Sequence, residues 1–395
     1  MIHSLLIALL CASLAALTAV VLNPVIVFLA YKKNILDIPN FRKLQKRPVP
    51  VLGGMSVYMA MVIVVFAGQF FYPSHEILVP FVGITVMFYV GFLDDLVGLK
   101  PSTRFFFQIL VISLFCYEGL QLDNLQGLFG IYQLPPYVAW PLSIFAGVGL
   151  INALNMIDGV DGLASSGGVF FCTLSGLFFV RHGDPVYALV AVVFVGALIP
   201  FVFCNLFSRK YKMFIGDSGS LILGTLAYLF CCRMLSAPNF YPLDNYLVSV
   251  MLTIFAVPVF DTLRVMTVRI IHRKSPFSAD KTHLHHIFVV LGMPHFIITF
   301  IIMTMGVLLV VINYLLSLLC WHPTVHLVVT LLVNCSAVWG VYGILHRIER
   351  KRPEVFLHLK ARVRLSVAAP VRQYKSFQNF LDNKLMCMRR RKKRP

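Results

Sequence analysis

The sequence predicts an all-α, polytopic integral membrane protein of about eleven transmembrane helices, with its N-terminus outside and its C-terminus in the cytoplasm. Three observations carry this expectation. Hydrophobic residues make up 59% of the 395 positions and charged residues only 13%, too little polar surface to cover a soluble globule. Apolar stretches near the roughly 20 residues needed to cross a bilayer recur along the chain. Positive charge collects in alternate connections between them.

The expected spans lie near residues 2–30, 51–72, 78–93, 104–121, 137–154, 163–181, 186–207, 218–236, 246–268, 295–319 and 324–346. The first has a long apolar part with no Lys or Arg before it, so it reads as a retained helix and not a signal peptide. Lys32, Lys33, Arg42, Lys43, Lys46 and Arg47 follow it, Lys100 and Arg104 follow the third span, Arg209, Lys210 and Lys212 the seventh, and Arg269, Arg273, Lys274 and Lys281 the ninth. The even connections carry little beyond Arg181 and Arg233. The odd connections are therefore expected to be cytoplasmic.

Residues 1–346 form one polytopic domain in this reading, and 347–395 a basic cytoplasmic tail ending in "MRRRKKRP". Such a tail suits anionic lipid, each basic residue near the surface gaining about 1 kcal/mol. No aromatic platform or zinc pattern accompanies it, so nucleic acid is not an expected partner. The net charge of +18 is then a statement about the membrane surface. Eight of the nine cysteines fall in apolar spans and none forms C-x-x-C, so neither a disulfide framework nor a zinc site is expected.

The unusual polar residues fall on one side of this topology. "GFLDDLVGLKPSTR" holds Asp94 and Asp95, "NALNMIDGVDGLA" holds Asn152, Asn155, Asp158 and Asp161, "SRKYKMFIGDSGS" holds Asp217, and "HRKSPFSADKTHLHHIF" holds His283, His285 and His286. Ionisable groups near hydrocarbon are costly and mark function. Adjacent carboxylates such as Asp94 and Asp95 repel unless a cation or proton joins them. Carboxylates and an amide without thiolates suit Mg²⁺, with Mn²⁺ as the alternative. Mg²⁺ commonly keeps waters and takes substrate phosphates, so a phosphate-bearing substrate is expected. Lys46, Arg47, Arg269 and Arg273 can neutralise a diphosphate, and the three histidines can donate hydrogen bonds to it. Phe214 reads by periodicity as a packing residue, and its place three before Asp217 adds a stacking role. Glycines flank Asp161 and Asp217, and Gly53–Gly54 lets a helix start close-packed.

"FLDDLVGLKPS", "NALNMIDGVDGLA", "FIGDSGSLILG" and "SPFSADKTHLHHIF", in this order, resemble the polyprenyl-phosphate N-acetylhexosamine-1-phosphate transferase family, and "DIPNFRKLQKRPVPVLGG" extends the likeness to residue 37. The resemblance implies a multi-pass enzyme of the bacterial cytoplasmic (inner) membrane, with its active site on the cytoplasmic face. It would transfer a sugar 1-phosphate from a UDP-N-acetylhexosamine to undecaprenyl phosphate, releasing UMP. It implies that Asp217 and Asn155 hold Mg²⁺, that Asp94 or Asp95 deprotonates or positions the lipid phosphate, and that Asp158 and Asp161 contact nucleotide or sugar. Phe214 would lie against uracil, and Lys46, Arg47, Arg269, Arg273 and the histidines would grip phosphates.

"SADKTHLHH", with Leu284 interrupting the histidines, resembles the GlcNAc-1-phosphate branch that opens O-antigen, common-antigen or teichoic-acid linkage synthesis. Gln45 departs from the histidine of many relatives and leaves an imidazole role in the first loop unsupported. Another UDP-N-acetylhexosamine or UDP-MurNAc-pentapeptide is the alternative donor. A lipid-diphosphate hydrolase and a transporter are the competing classes, the latter disfavoured because acids cluster at one face and not at mid-depth. Oligomeric state stays open, with a homodimer among the partners considered.

Overall fold

The computed structural model describes residues 2–37, 48–68, 74–237, 240–275, 282–319 and 321–391. Lys46, Arg47, Gln45 and Lys281 lie outside the described residues. The helices run in the order α1 (Ile2–Lys32), α2 (Gly53–Gly68), α3 (Leu78–Val97), α4 (Pro101–Tyr117), α5 (Pro136–Met156), α6 (Leu163–Arg181), α7 (Pro185–Phe207), α8 (Gly216–Leu235), α9 (Leu247–Ile254), α10 (Ala256–Ile271), α11 (Leu284–Val290), α12 (His295–Ser317), α13 (Pro323–Lys351) and α14 (Pro353–Arg391). Proline opens α4, α5, α7 and α13, where its missing N–H costs nothing and its fixed φ favours the first turn.

The protein is predominantly helical, and the expected apolar stretches fall on helices, one of them on two. By length and composition, eight helical segments among the described residues can cross a membrane, and the bent pair of α9 and α10 would make a ninth. α2 and α4 are apolar but shorter. The stretch 246–268, expected as one span, is broken at Phe255 by a 61° bend. Pro258 explains the break, because it cannot donate to the carbonyl of Ile254 four residues earlier and its ring crowds that carbonyl.

Two short antiparallel ribbons were not anticipated from the sequence: β1 (Leu36–Asp37) with β2 (Val49–Pro50), and β3 (Asn124–Leu128) with β4 (Ile131–Gln133). The second ribbon turns through Phe129 and Gly130, both at positive φ.

α8 is the axis of the fold. Its side chains are buried almost throughout, and α2, α3 and α5 pack around it. Without a hydrophobic drive inside lipid, such packing depends on close backbone approach at small residues. A Cβ on Gly91 of α3 would lie 2.5 Å from the carbonyl oxygen of Asp217, and one on Gly224 of α8 would lie 2.5 Å from the Cα of Ile151. By contrast, α1, α12 and α13 leave large apolar side chains exposed, among them Leu10, Leu17, Phe300, Leu308, Leu332 and Ile344. An apolar surface of that extent requires lipid around it.

Candidate active site

The chain turns at one end of α3, α5 and α7 and at the start of α8, and these turns surround a cavity of about 1100 Å³. Asp94, Asp95, Asp158, Asp161, Phe214, Asp217 and His286 line it, so four sequence blocks meet in one space. The junction between α2 and α8 sets the geometry. Phe214 N–H donates to the carbonyl of Pro50 (2.8 Å), Gly53 N–H to that of Phe214 (2.9 Å) and Gly54 N–H to that of Ile215 (2.8 Å). Gly216 follows at φ +72°, and a Cβ there would lie 2.4 Å from the carbonyl oxygen of Val51 and 2.6 Å from Asp95 Oδ2. Only glycine satisfies both the backbone sign and the space.

Asp95 fastens the head of α8 to α3. Its Oδ1 accepts from Asp217 N–H (2.8 Å) and its Oδ2 from Ser218 N–H (3.0 Å). It is thus a side-chain cap delivered from another helix to the otherwise unpaired N–H groups of a helix start. Asp94 accepts from Leu99 N–H (2.6 Å) and from Arg104 Nη1 (2.7 Å), and the same guanidinium lies 3.8 Å from Asp217. Asn155 of α5 donates to Asp217 Oδ1 (2.6 Å) and to Ser220 (2.9 Å).

Two further acids of the cavity differ sharply. Burial raises the Asp158 carboxyl well above the ordinary carboxylate range, and the charges of Asp217, Asp95 and Asp161 push it further. For Asp161 burial also acts upward, but the hydrogen bond from His295 and the charge of Lys212 outweigh it and hold the carboxyl below its usual value. Lys212 Nζ stands 2.6 Å from Asp161 Oδ2 and His295 Nδ1 2.8 Å from the same oxygen, while Thr299 donates to the Asp161 carbonyl.

The histidines separate. His286 lines the cavity, whereas His283 and His285 are buried behind its wall. His283 Nδ1 contacts Asp261 Oδ2 (2.9 Å), and Asp261 also takes Arg264 (2.7 Å) and Leu284 N–H, which fixes the turn before α11. His285 Nε2 has no hydrogen-bond partner among the described residues, and a Cβ on Gly159 would come within 2.5 Å of it. Burial first, then the neighbouring His286 and His283, lowers His285 to about 3, so its ring is neutral.

Arg269 is buried near the end of α10 and Arg273 is exposed at φ +56° just beyond it, and neither lines the cavity. His295, Arg209 and Lys212 line it without having been singled out as site residues. Lys212, two positions before Phe214, was counted only as topological charge. His295 follows Pro294 at the head of the span after the last polar block, the one signal that could have found it. Among the described residues, no three His, Cys, Asp or Glu side chains converge as a metal site.

Comparison with known proteins places the chain among named relatives. The profile of Glycosyl transferase family 4 matches residues 77–235, which hold Asp94, Asp95, Asn155, Asp158, Asp161 and Asp217. The chain is 31% identical over 263 residues to the undecaprenyl-phosphate alpha-N-acetylglucosaminyl 1-phosphate transferase of Yersinia pestis, covering 65% of this chain and 70% of that protein. It is 27% identical over 293 residues to the probable undecaprenyl-phosphate N-acetylglucosaminyl 1-phosphate transferase of Bacillus subtilis strain 168, covering 73% and 79%. The Escherichia coli K12 relative, named as the Yersinia protein is, shares 29% over 263 residues, covering 65% and 70%.

Proposed function

This chain belongs to the polyprenyl-phosphate N-acetylhexosamine-1-phosphate transferase family, and from that premise we propose that it transfers GlcNAc-1-phosphate from UDP-GlcNAc to undecaprenyl phosphate. The products are undecaprenyl-diphosphate-GlcNAc and UMP. The observation that carries the reading is the acid-rich cavity at the ends of apolar helices, whose lining Asp217 and Asp94 are held by Asn155 and Arg104 within hydrogen-bonding or ion-pairing distance though neither partner lines the cavity itself. A water-soluble diphosphate and a lipid phosphate can both reach such a place.

Phosphoryl transfer asks little covalent chemistry of a protein and much positioning and charge neutralisation. An oxygen of the lipid phosphate attacks the phosphorus that bears the sugar, and the bond from that phosphorus to the bridging oxygen of UMP breaks. At neutral pH a phosphate monoester is largely ionised, so direct attack needs almost no general base. Asp94 and Asp95 are then the proposed catalytic pair that positions the lipid phosphate, Asp94 together with its partner Arg104 and Asp95 from the head of α8 that it caps. Asp158 and Asp161 would contact nucleotide or sugar, Phe214 would stack on the base, and His286 would meet phosphate. His283 and His285 lie buried beside His286, and Arg269 and Arg273 stay off the cavity lining, so their proposed grip on phosphate is not carried forward in this reading.

The donor set fits a hard divalent cation. Asp217 and Asn155 offer a carboxylate and an amide on adjacent helices, and the like charge pressing on Asp158 favours a cation nearby. Mg²⁺ takes one or two protein oxygens together with substrate phosphates, so a site with few protein ligands suits it. When bound, the ion would neutralise charge on the diphosphate. The positive odd-numbered connections support a cytoplasmic active site in a bacterial inner membrane. Exposed Arg362, Arg364, Arg372 and Lys375 on α14 are the residues proposed to meet anionic lipid.

The test is UMP release by the detergent-purified protein with undecaprenyl phosphate and Mg²⁺, across UDP-GlcNAc, other UDP-N-acetylhexosamines and UDP-MurNAc-pentapeptide. Release with UDP-GlcNAc that needs both lipid and metal is the expected result. Release with another sugar overturns the donor and keeps the reaction; water-dependent release of phosphate from a lipid diphosphate overturns the reaction.

A further inference from the structure

The basic segment after α13 is not a loose tail. α14 crosses the mouth of the cavity, and Tyr374 and Gln378 form part of its wall. The Tyr374 ring stacks on Phe296 at 4.3 Å with the planes 9° apart, and its hydroxyl donates to the Leu206 carbonyl at the end of α7. Gln378 Nε2 donates to the same carbonyl (3.4 Å), and Asp382 accepts from the Ser208 hydroxyl (2.8 Å) and from Arg209 N–H (3.3 Å). A helix end leaves its last carbonyls without intrahelical partners, and here α14 supplies them.

The consequence falls on Arg209. Its Nε donates to Gln378 Oε1 (3.0 Å) and its Nη1 to Asn379 Oδ1 (3.4 Å), so among the described residues its guanidinium is held by neutral amides and no carboxylate. Lys212, the other Lys or Arg lining the cavity among the described residues, is already committed to Asp161 at 2.6 Å. Arg209 therefore brings to the cavity mouth a guanidinium whose own hydrogen bonds go to neutral amides, the Asp382 carboxylate taking its backbone N–H instead, and a planar fork of this kind pairs readily with phosphate oxygens.

We propose that Arg209 binds a phosphate of the incoming nucleotide sugar and that Gln378 of the C-terminal helix is the positioning residue that aims it. This rests on the transferase reading and assigns the helix, which lies outside the residues matched by the family profile, a part in donor recognition. Gln378 touches no substrate; it acts by orienting the guanidinium.

The experiment uses the full chain in detergent, with UMP release measured against UDP-GlcNAc at saturating undecaprenyl phosphate, and equilibrium binding of UDP-GlcNAc by calorimetry. Arg209→Gln is expected to raise KM for the nucleotide sugar and weaken its binding about tenfold, with kcat and the KM for lipid within about twofold. Gln378→Glu should reach a similar loss, because the new carboxylate neutralises Arg209 in place. Gln378→Met, uncharged and of similar volume, should cost about threefold. Donor binding and KM unchanged in both Arg209→Gln and Gln378→Glu would overturn the proposal. So would kcat and both KM values moving together, the mark of a helix that only stabilises the fold. If Gln378→Glu does not accumulate, Arg209→Gln and Gln378→Met decide alone. Wild-type protein that binds UDP-GlcNAc but releases no UMP would count against the transferase reading, and the calorimetric comparison would still decide the role of Arg209.

Discussion

The same helices end in two very different polar regions. At the end opposite the cavity, Arg233 of α8 donates to Asp184 at 2.6 Å and lies 3.2 Å from Glu76, His182 meets Asp244 at 2.9 Å, and Arg181 sits 3.6 Å over the Tyr241 ring. Every one of those acids has a basic partner. At the cavity end, sixteen residues or roughly 24 Å away along α8, burial first, and then the charges of Asp217, Asp95 and Asp161, favour the protonated form of Asp158. One end spends its charges on closing the bundle, and the other holds charge in deficit. Stability is built where partners are complete, and a site for a cation and phosphates is built where they are not.

The largest test of this contrast is to remove one carboxylate from each end. Asp217→Asn and Asp94→Asn should each cut UMP formation roughly 1000-fold, the scale of losing a preorganised charge in a transition state. The thermal unfolding midpoint in detergent should hold or rise for Asp217→Asn, because a like charge leaves the cluster. A fall in midpoint that tracks the loss of activity would make Asp217 a structural residue and dissolve the distinction between the ends. Asp184→Asn should do the reverse, keeping activity per folded molecule within about twofold while lowering the midpoint.

A smaller effect comes from the cation at the closed end. Arg233→Met leaves Asp184 without its guanidinium at a side-chain exposure of 15%. Partial solvent access discounts the penalty of a fully buried broken pair to about 1–3 kcal/mol, or about 2–5 °C in the unfolding midpoint. Differential scanning fluorimetry in detergent reads this directly. An unchanged midpoint would mean that water already screens the pair and that this end is no tighter than the other.

Much of the cavity was legible because ionisable residues at span ends are costly enough to announce themselves. Asp94, Asp95, Asp158, Asp161 and Asp217 all stood out on that ground, and all line one space. What each carboxylate does was not legible. The capping of α8 by Asp95 joins residues 122 positions apart and leaves no local pattern. His283 and His285, which looked equivalent to His286, were separated by Asp261, whose position depends on how α10 packs. The bend before α10 did have a sequence signal in Pro258, hidden inside an otherwise continuous apolar run. For the C-terminal segment, composition reports charge and affinity for lipid, whereas docking onto α7 depends on Tyr374, Gln378 and Asp382, one helical turn apart each. That spacing has meaning only once the partner helix is in view.

The finest distinction between the ends is how they hold histidine. His182 contacts Asp244, while His285 is buried at the cavity end with Nε2 unpartnered among the described residues. Burial and the adjacent His286 and His283 lower its folded pKa to about 3, against an unfolded value of 6.5. Between those values the unfolded chain takes up a proton that the folded protein refuses. This group's contribution is therefore complete above pH 6.5 and is lost as pH falls, by at most about 1.4 kcal/mol per pH unit. Asp158 acts in the opposite sense, because a raised carboxyl favours the folded state at low pH and loses that contribution as pH rises through its folded value. The two terms partly cancel in the wild-type profile, so the profile alone is uninformative. Subtracting the profile of His285→Gln leaves the Asp158 term common to both and removes it. The difference in unfolding midpoint between about pH 7 and about pH 5 should then show the wild type losing the greater stability in acid, by about 1–2 kcal/mol. Parallel profiles would mean that His285 takes up a proton in the folded protein as readily as in the unfolded chain. The cavity end would then be able to satisfy a charge on the His285 ring.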